Sequence, residues 1–194
     1  MSIEHKNITG TDIHEPKGVA AASAGAAYQA DGAGSGTWET MGYGCGGLTA
    51  DGTANTIGTS FVAINAANFP TGTLTWAENQ AGNGISLDIT DGYFLCSNPG
   101  IYSVHYNISF SSDDATTAEY QTTIGMDSGA GIVTQETKTT SYRATTDTDV
   151  TGFIAGNCLP TLAAGDKMYL MIQQNSGTAD IQILSGNFVV NRVL

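Results

Sequence analysis

Between Lys17 and Lys138 the chain contains no lysine and no arginine. Charged residues of either sign make up 12% of the 194 residues, about half the roughly 25% of an ordinary globular protein. The formal net charge is −12. A chain so short of cations has little with which to neutralise phosphates, which excludes nucleic acid as a partner. The same deficit excludes an anionic membrane surface. Cysteine is scarce too: Cys45, Cys96 and Cys158 form no C-x-x-C, are odd in number and stand far apart. Neither a disulfide framework nor a zinc site is expected from them, and Cys96 and Cys158 read as buried thiols in strand-like runs. No apolar run is long enough to span a bilayer, the small-residue stretch at 19–27 being too short and too weakly apolar. The first ten residues carry no apolar core of a secretory signal, so folding in a cytoplasm is expected. The G-x-S-x-G and G-x-x-x-x-G-K patterns are missing as well, and no carboxylate pair suggests a hydrolytic cleft. The expectation is a protein with no catalytic residues, no cofactor and no bound metal.

What is present is small residues, β-branched residues and aromatics. Two Trp, eight Tyr and six Phe argue for a packed core rather than disorder. The chain reads in three zones. Residues 1–17 hold the early charge, with Ile3, Ile8 and Ile13 as the apolar anchors of an extended arm. Residues 18–47 are rich in Gly and Ala, and such a stretch either orders against a partner, with Tyr28 and Trp38 as docking side chains, or serves as a flexible linker. Residues 48–194 alternate apolar and polar with period two at 59–64, 72–76, 85–89, 93–96, 101–110, 120–126, 150–158, 167–173 and 181–193. Turn residues separate these runs, among them Asn98-Pro99-Gly100 and Gly165-Asp166. The expected architecture is therefore all-β, a sandwich over 48–194 preceded by an arm and linker over 1–47.

Three motifs sharpen that expectation. Gly100-Ile101-Tyr102-Ser103-Val104-His105-Tyr106 has the form Gly-x-Tyr-x-Φ-x-Tyr. Leu162-Ala163-Ala164-Gly165-Asp166-Lys167-Met168-Tyr169-Leu170 has the form Leu-x-x-Gly-Asp-x-Φ-x-Leu, and Ser185-Gly186-Asn187-Phe188-Val189-Val190 follows near the end. In this order and at these distances they resemble the jelly roll shared by the complement-collectin globular head and the tumour necrosis factor family, with Val104 standing where phenylalanine is usual. The resemblance implies a jelly-roll β-sandwich in which Tyr102, Val104, Tyr106, Leu162, Met168, Leu170, Phe188 and Val190 point into the core. It also implies a homotrimer. The opposite strand faces, with Ser103, His105, Asn107, Asn187, Val189 and Asn191, would then lie at or near the subunit interface.

The arm has a likeness of its own. His14-Glu15-Pro16-Lys17-Gly18, the Ala-rich run, Tyr28 and Ala30-Asp31-Gly32-Ala33-Gly34-Ser35-Gly36-Thr37-Trp38 resemble the N-terminal segment of virion proteins of tailed bacteriophages. This resemblance implies a virion structural protein on the capsid exterior, assembled in the host cytoplasm. It would be a trimeric decoration protein bound to the major capsid protein through Ile3, Lys6, Ile8, Ile13, His14, Lys17, Tyr28 and Trp38. The other reading it leaves open is a tail fibre or tail tip that binds a host surface glycan through loops at 113–117 and 134–148. Two further clusters have plainer readings. In a trimer His105 would recur three times near the axis and could ligate a metal, but a hydrogen-bonded interface histidine is the simpler assignment. Asp88/Asp91, Asp113/Asp114 and Asp147/Asp149 lack calcium-loop spacing and read as solvated loop residues.

Overall fold

The computed structural model describes residues 22, 26–30, 36–40, 42–112, 118–134, 139–143, 151–177 and 180–193. All regular elements among them are strands, and each strand pair is antiparallel. The chain divides into two compact units, Met1–Met41 and Gly42–Leu194.

Within the first unit, β1 (Ala26–Ala30) and β2 (Gly36–Thr40) form a hairpin with Tyr28 opposite Trp38. The two rings meet edge to face, 5.4 Å apart at 64°. Part of the stretch expected to be linker or docking segment is thus regular structure, and its two aromatics pack on each other. Cross-strand aromatic pairs of this kind hold short hairpins in register.

The second unit contains β3 (Tyr43–Ala50), β4 (Val62–Ala63), β5 (Leu74–Asn83), β6 (Ile85–Asp88) and β7 (Tyr93–Cys96). It continues with β8 (Gly100–Ser112), β9 (Ala118–Asp127), β10 (Ile132–Thr134), β11 (Thr139–Arg143) and β12 (Gly152–Cys158). β13 (Thr161–Leu162), β14 (Lys167–Ser176) and β15 (Ile181–Arg192) complete it. One sheet runs β12-β8-β15-β3-β5, with β13 also on β8; the other runs β10-β9-β14-β7-β6, with β11 on β9 and β4 on β14.

The inner faces of these sheets meet in one core. Tyr102, Val104, Ile108, Phe110, Phe188 and Val190 come from the first sheet, and Phe94, Tyr120, Ile124, Met168, Leu170 and Ile172 from the second. The Phe94 ring stands edge-on to Phe188 at 4.9 Å, and Phe110 to Tyr120 at 5.4 Å. Burying each such side chain contributes roughly 1.5–3 kcal/mol. All eight side chains that the motifs placed inward are buried. A polar contact also crosses the core, the Tyr106 and Thr122 hydroxyls lying 3.1 Å apart.

The turns account for the motif residues. Gly165 has φ +93, a conformation that side chains with a Cβ rarely adopt. Its N–H donates to the Cys96 carbonyl at 2.8 Å, while the Asp166 carboxylate accepts from the Ala163 N–H at 2.8 Å. At the other motif the Tyr102 hydroxyl donates to the Asn98 carbonyl, fastening the turn before β8.

The boundary expected between Gly47 and Leu48 falls instead at Met41/Gly42, because β3 begins at Tyr43 and pairs with both β15 and β5. The reason is steric. Gly44 and Gly46 point inward, and a Cβ on Gly44 would come within 2.7 Å of Ile85 and 2.8 Å of the Phe94 ring. The strand has glycine there because the aromatics of the facing layer occupy the side-chain space.

Candidate oligomer interface

The outward face of the β12-β8-β15-β3 sheet is built by simple alternation. Register pairs Ser103 with Asn191, His105 with Val189 and Asn107 with Asn187. On one flank β12 sets Asn157 beside His105, Ala155 beside Asn107 and Phe153 beside Ser109. On the other, β3 sets Tyr43, Cys45 and Gly47 beside Asn191, Val189 and Asn187. The six residues named from sequence as an interface, Ser103, His105, Asn107, Asn187, Val189 and Asn191, therefore form one contiguous two-strand ladder. All six are exposed or half-buried in the single chain.

None of the outward positions on these four strands is Asp, Glu, Lys or Arg. Glu78 lies on the edge strand β5 and turns back to accept from the Gly82 N–H at 3.2 Å. Three of the six large apolar side chains that stand exposed among the described residues belong here: Phe153 at 62%, Leu159 at 67% and Val193 at 50%. Phe153 projects from β12, and Leu159 and Val193 carry the alternation just past β12 and β15. Sequence reading missed these three, although the period-two rule that found Val189 extends to each of them.

Within this face the His105 Nε2 lies 2.9 Å from the Ser103 hydroxyl. The residues packed around it from β12 and β15 are Asn157 and Val189, both uncharged. Cys45 is half-buried on the same face, and none of the three cysteines is in a disulfide. Burial pushes the Cys96 thiol above its ordinary range, in keeping with an inert core position. Among the described residues no three of His, Cys, Asp and Glu come together as a metal site.

The other expected site residues fare differently. Tyr28 and Trp38 face each other across the β1–β2 hairpin. Ile3, Lys6, Ile8, Ile13, His14 and Lys17 lie outside the described residues, as do the loop at 113–117, most of that at 134–148, and Asp113, Asp114, Asp147 and Asp149. Asp88 is a turn staple: its Oδ1 accepts from the N–H groups of Thr90 at 2.9 Å and Asp91 at 3.0 Å.

No protein-family model and no curated protein matches the chain. Solved structures do. Eiger TNF from S. frugiperda aligns at TM-score 0.50 and 12% identity, covering 79% of this chain and 94% of that one. The globular domain of the zebrafish complement 1qA protein aligns at TM-score 0.50 and 13% identity, covering 79% of this chain and 98% of that one. The sandwich is a jelly roll of the tumour necrosis factor and complement type; at these identities the likeness concerns the fold alone.

Proposed function

We propose that this chain is a homotrimeric structural protein of a tailed-bacteriophage virion, a decoration protein held on the capsid exterior. The jelly roll assembles three copies through the uncharged sheet face, and the N-terminal residues grip the particle. One observation carries the assembly: in a chain of net charge −12, the outward positions of four adjacent strands hold no charge, and Phe153 on them, with Leu159 and Val193 just past their ends, stands exposed to solvent. Copies that repel one another through their net charge meet at least electrostatic cost where charge is absent and apolar area can be removed from water. The virion assignment is supported by the string from His14 to Trp38. The role is mechanical: three arms engage at once, so release requires every contact to break together. Ile3, Lys6, Ile8, Ile13, His14 and Lys17 are the anchoring residues of this reading, joined by the Tyr28–Trp38 hairpin.

The test removes the first unit cleanly. A chain beginning at Gly42 keeps β3 whole, whereas a cut at Leu48 would amputate its first half. The Gly42 chain should sediment as a trimer and fail to coat particles that the full chain coats. A truncated protein that still coats them overturns the anchoring role, and a monomer overturns the assembly. Copy number on particles separates decoration from the tail-tip, glycan-binding alternative: hundreds for the first, a handful for the second.

A further inference from the structure

We infer that assembly through this sheet face is gated by pH, with His105 as the titrating group. The inference rests on the trimer reading and adds a control to it.

His105 sits in the interior of the uncharged face, on β8, the second strand of the path β12-β8-β15-β3-β5. Its neighbours on the adjoining described strands are neutral. Ser103 hydrogen-bonds its Nε2 at 2.9 Å, Asn157 flanks it from β12, Val189 from β15, and Asn107 follows it on β8. Beyond Val189 on β3 come Cys45 and Tyr43, the remaining titratable groups on the outward side of these strands. A thiol and a phenol gain no charge on acidification. No carboxylate on the outward side of these strands waits to accept a proton-bearing imidazole.

Closing that face over an imidazole takes it from water, which disfavours its charged form. The sign follows directly. An imidazole closed into a contact binds a proton less readily than one left in water, so assembly is favoured at neutral pH and weakened as pH falls through the general imidazole range near ~6.5. With one such histidine in each of three copies, the trimer dissociation constant should rise by up to about a thousand-fold per pH unit in that window.

The remaining charges push the other way. Acidification reduces the net charge of −12, and with it the repulsion between copies. Any acid weakening therefore has to come from a group that becomes charged inside the contact, and on this face His105 is the one that can.

The experiment is analytical ultracentrifugation of the full chain between pH 7.5 and 5.0, in chelator to exclude adventitious metal, beside His105→Asn and His105→Gln. The expected result is a wild-type trimer at pH 7.5 that dissociates by pH 5.5, while both variants remain trimeric throughout. Near-UV circular dichroism at each pH reports whether the released subunits stay folded. A wild-type trimer that persists to pH 5.0, or variants that dissociate in parallel with it, overturns the switch and leaves the trimer standing. A wild-type monomer at pH 7.5 overturns the trimer and the switch together.

Discussion

The two sheets of the sandwich turn opposite kinds of surface outward. On the β14 sheet the outward side chains cover one another: Tyr93 and Tyr169 lie 5.3 Å apart, and Ala63, Met171 and Phe61 close around them. Charge completes that cover, with the Lys167 ammonium 4.6 Å over the Tyr93 ring and Asp88 bonded to the Tyr93 hydroxyl. Tyr169 is 9% exposed and Met171 4%, so the centre of this surface is dry without help, while Ile132 and Val133 on the edge strand β10 and Ile89 just past β6 stand exposed at its margin. On the β8 sheet the central positions are Ser, His, Asn, Val and Gly, and Phe153, Leu159 and Val193 stand exposed around them. One sheet covers the centre of its outer layer from the chain itself; the other leaves it uncovered and uncharged, the contrast on which the proposed assembly rests.

The strongest way to break this contrast is a charge. Val189→Glu places a carboxylate in the middle of the neutral face, once per copy. Burying an unpaired charge costs several kcal/mol, so association should weaken by at least about a thousand-fold. Sedimentation should find monomers with unchanged far-UV circular dichroism. The same change on the opposite side, Gln173→Glu on β14, should leave the trimer intact. If both variants stay trimeric, the face has been assigned wrongly.

Next in size is Tyr169→Ala. It removes the centre of the self-made cover, and large-to-small changes at buried aromatics cost about 3 kcal/mol. Urea unfolding of the variant should register that loss while the oligomeric state is unaltered. A change in association with no change in stability would mean that the two faces have exchanged roles.

Much of this contrast was legible in the sequence. Alternation alone separated Tyr102, Val104 and Tyr106 from Ser103, His105 and Asn107, because a strand sends neighbours to opposite sides and the apolar set must be the buried one. The Leu-x-x-Gly-Asp string placed Gly165 in its turn, since a positive φ and a carboxylate facing an N–H both constrain residue choice locally. Strand β3 was lost for the opposite reason. Gly44 and Gly46 are core positions filled from across the sandwich by Phe94 and Ile85, so the apolar signal sits in other strands. Only the period-two spacing of Gly42, Gly44, Gly46 and Leu48 hints at it. The hairpin of Tyr28 and Trp38 was hidden in the same way, in low-complexity sequence whose one informative pair is ten residues apart. The cover on the β14 sheet was invisible because it depends on Phe61 and Ala63 arriving with the two-residue strand β4, far away in sequence.

A smaller effect tests how the two layers are joined. Thr122→Val removes the hydroxyl that meets Tyr106 across the core while preserving shape. One buried hydrogen bond contributes about 1 kcal/mol, and chemical denaturation should report a loss of that order. Both faces should behave as before.

The smallest expected effect concerns acid, and it separates the faces by pH. The N–H of Asp91, joined by that of Thr90, holds the Asp88 carboxyl below the usual carboxylate range, with the Tyr93 hydroxyl and Lys167 assisting. A depressed value means the folded chain binds this proton less readily than the unfolded one. The resulting stability is present above the ordinary value near ~3.9 and is lost as pH falls through the lower, folded one. Asp88→Asn keeps an acceptor for the turn but removes the charge, so its stability curve should be flatter than the parent's in that acid range, lying below it at pH 7 and converging with it in strong acid. Because Asp88 belongs to the self-covered sheet, its titration should register in unfolding and not in association. Any loss of trimer near pH 6 should be indifferent to Asp88→Asn, and thermal melts of the two proteins from pH 7 to pH 2, read beside their sedimentation, would reveal a coupling if one existed.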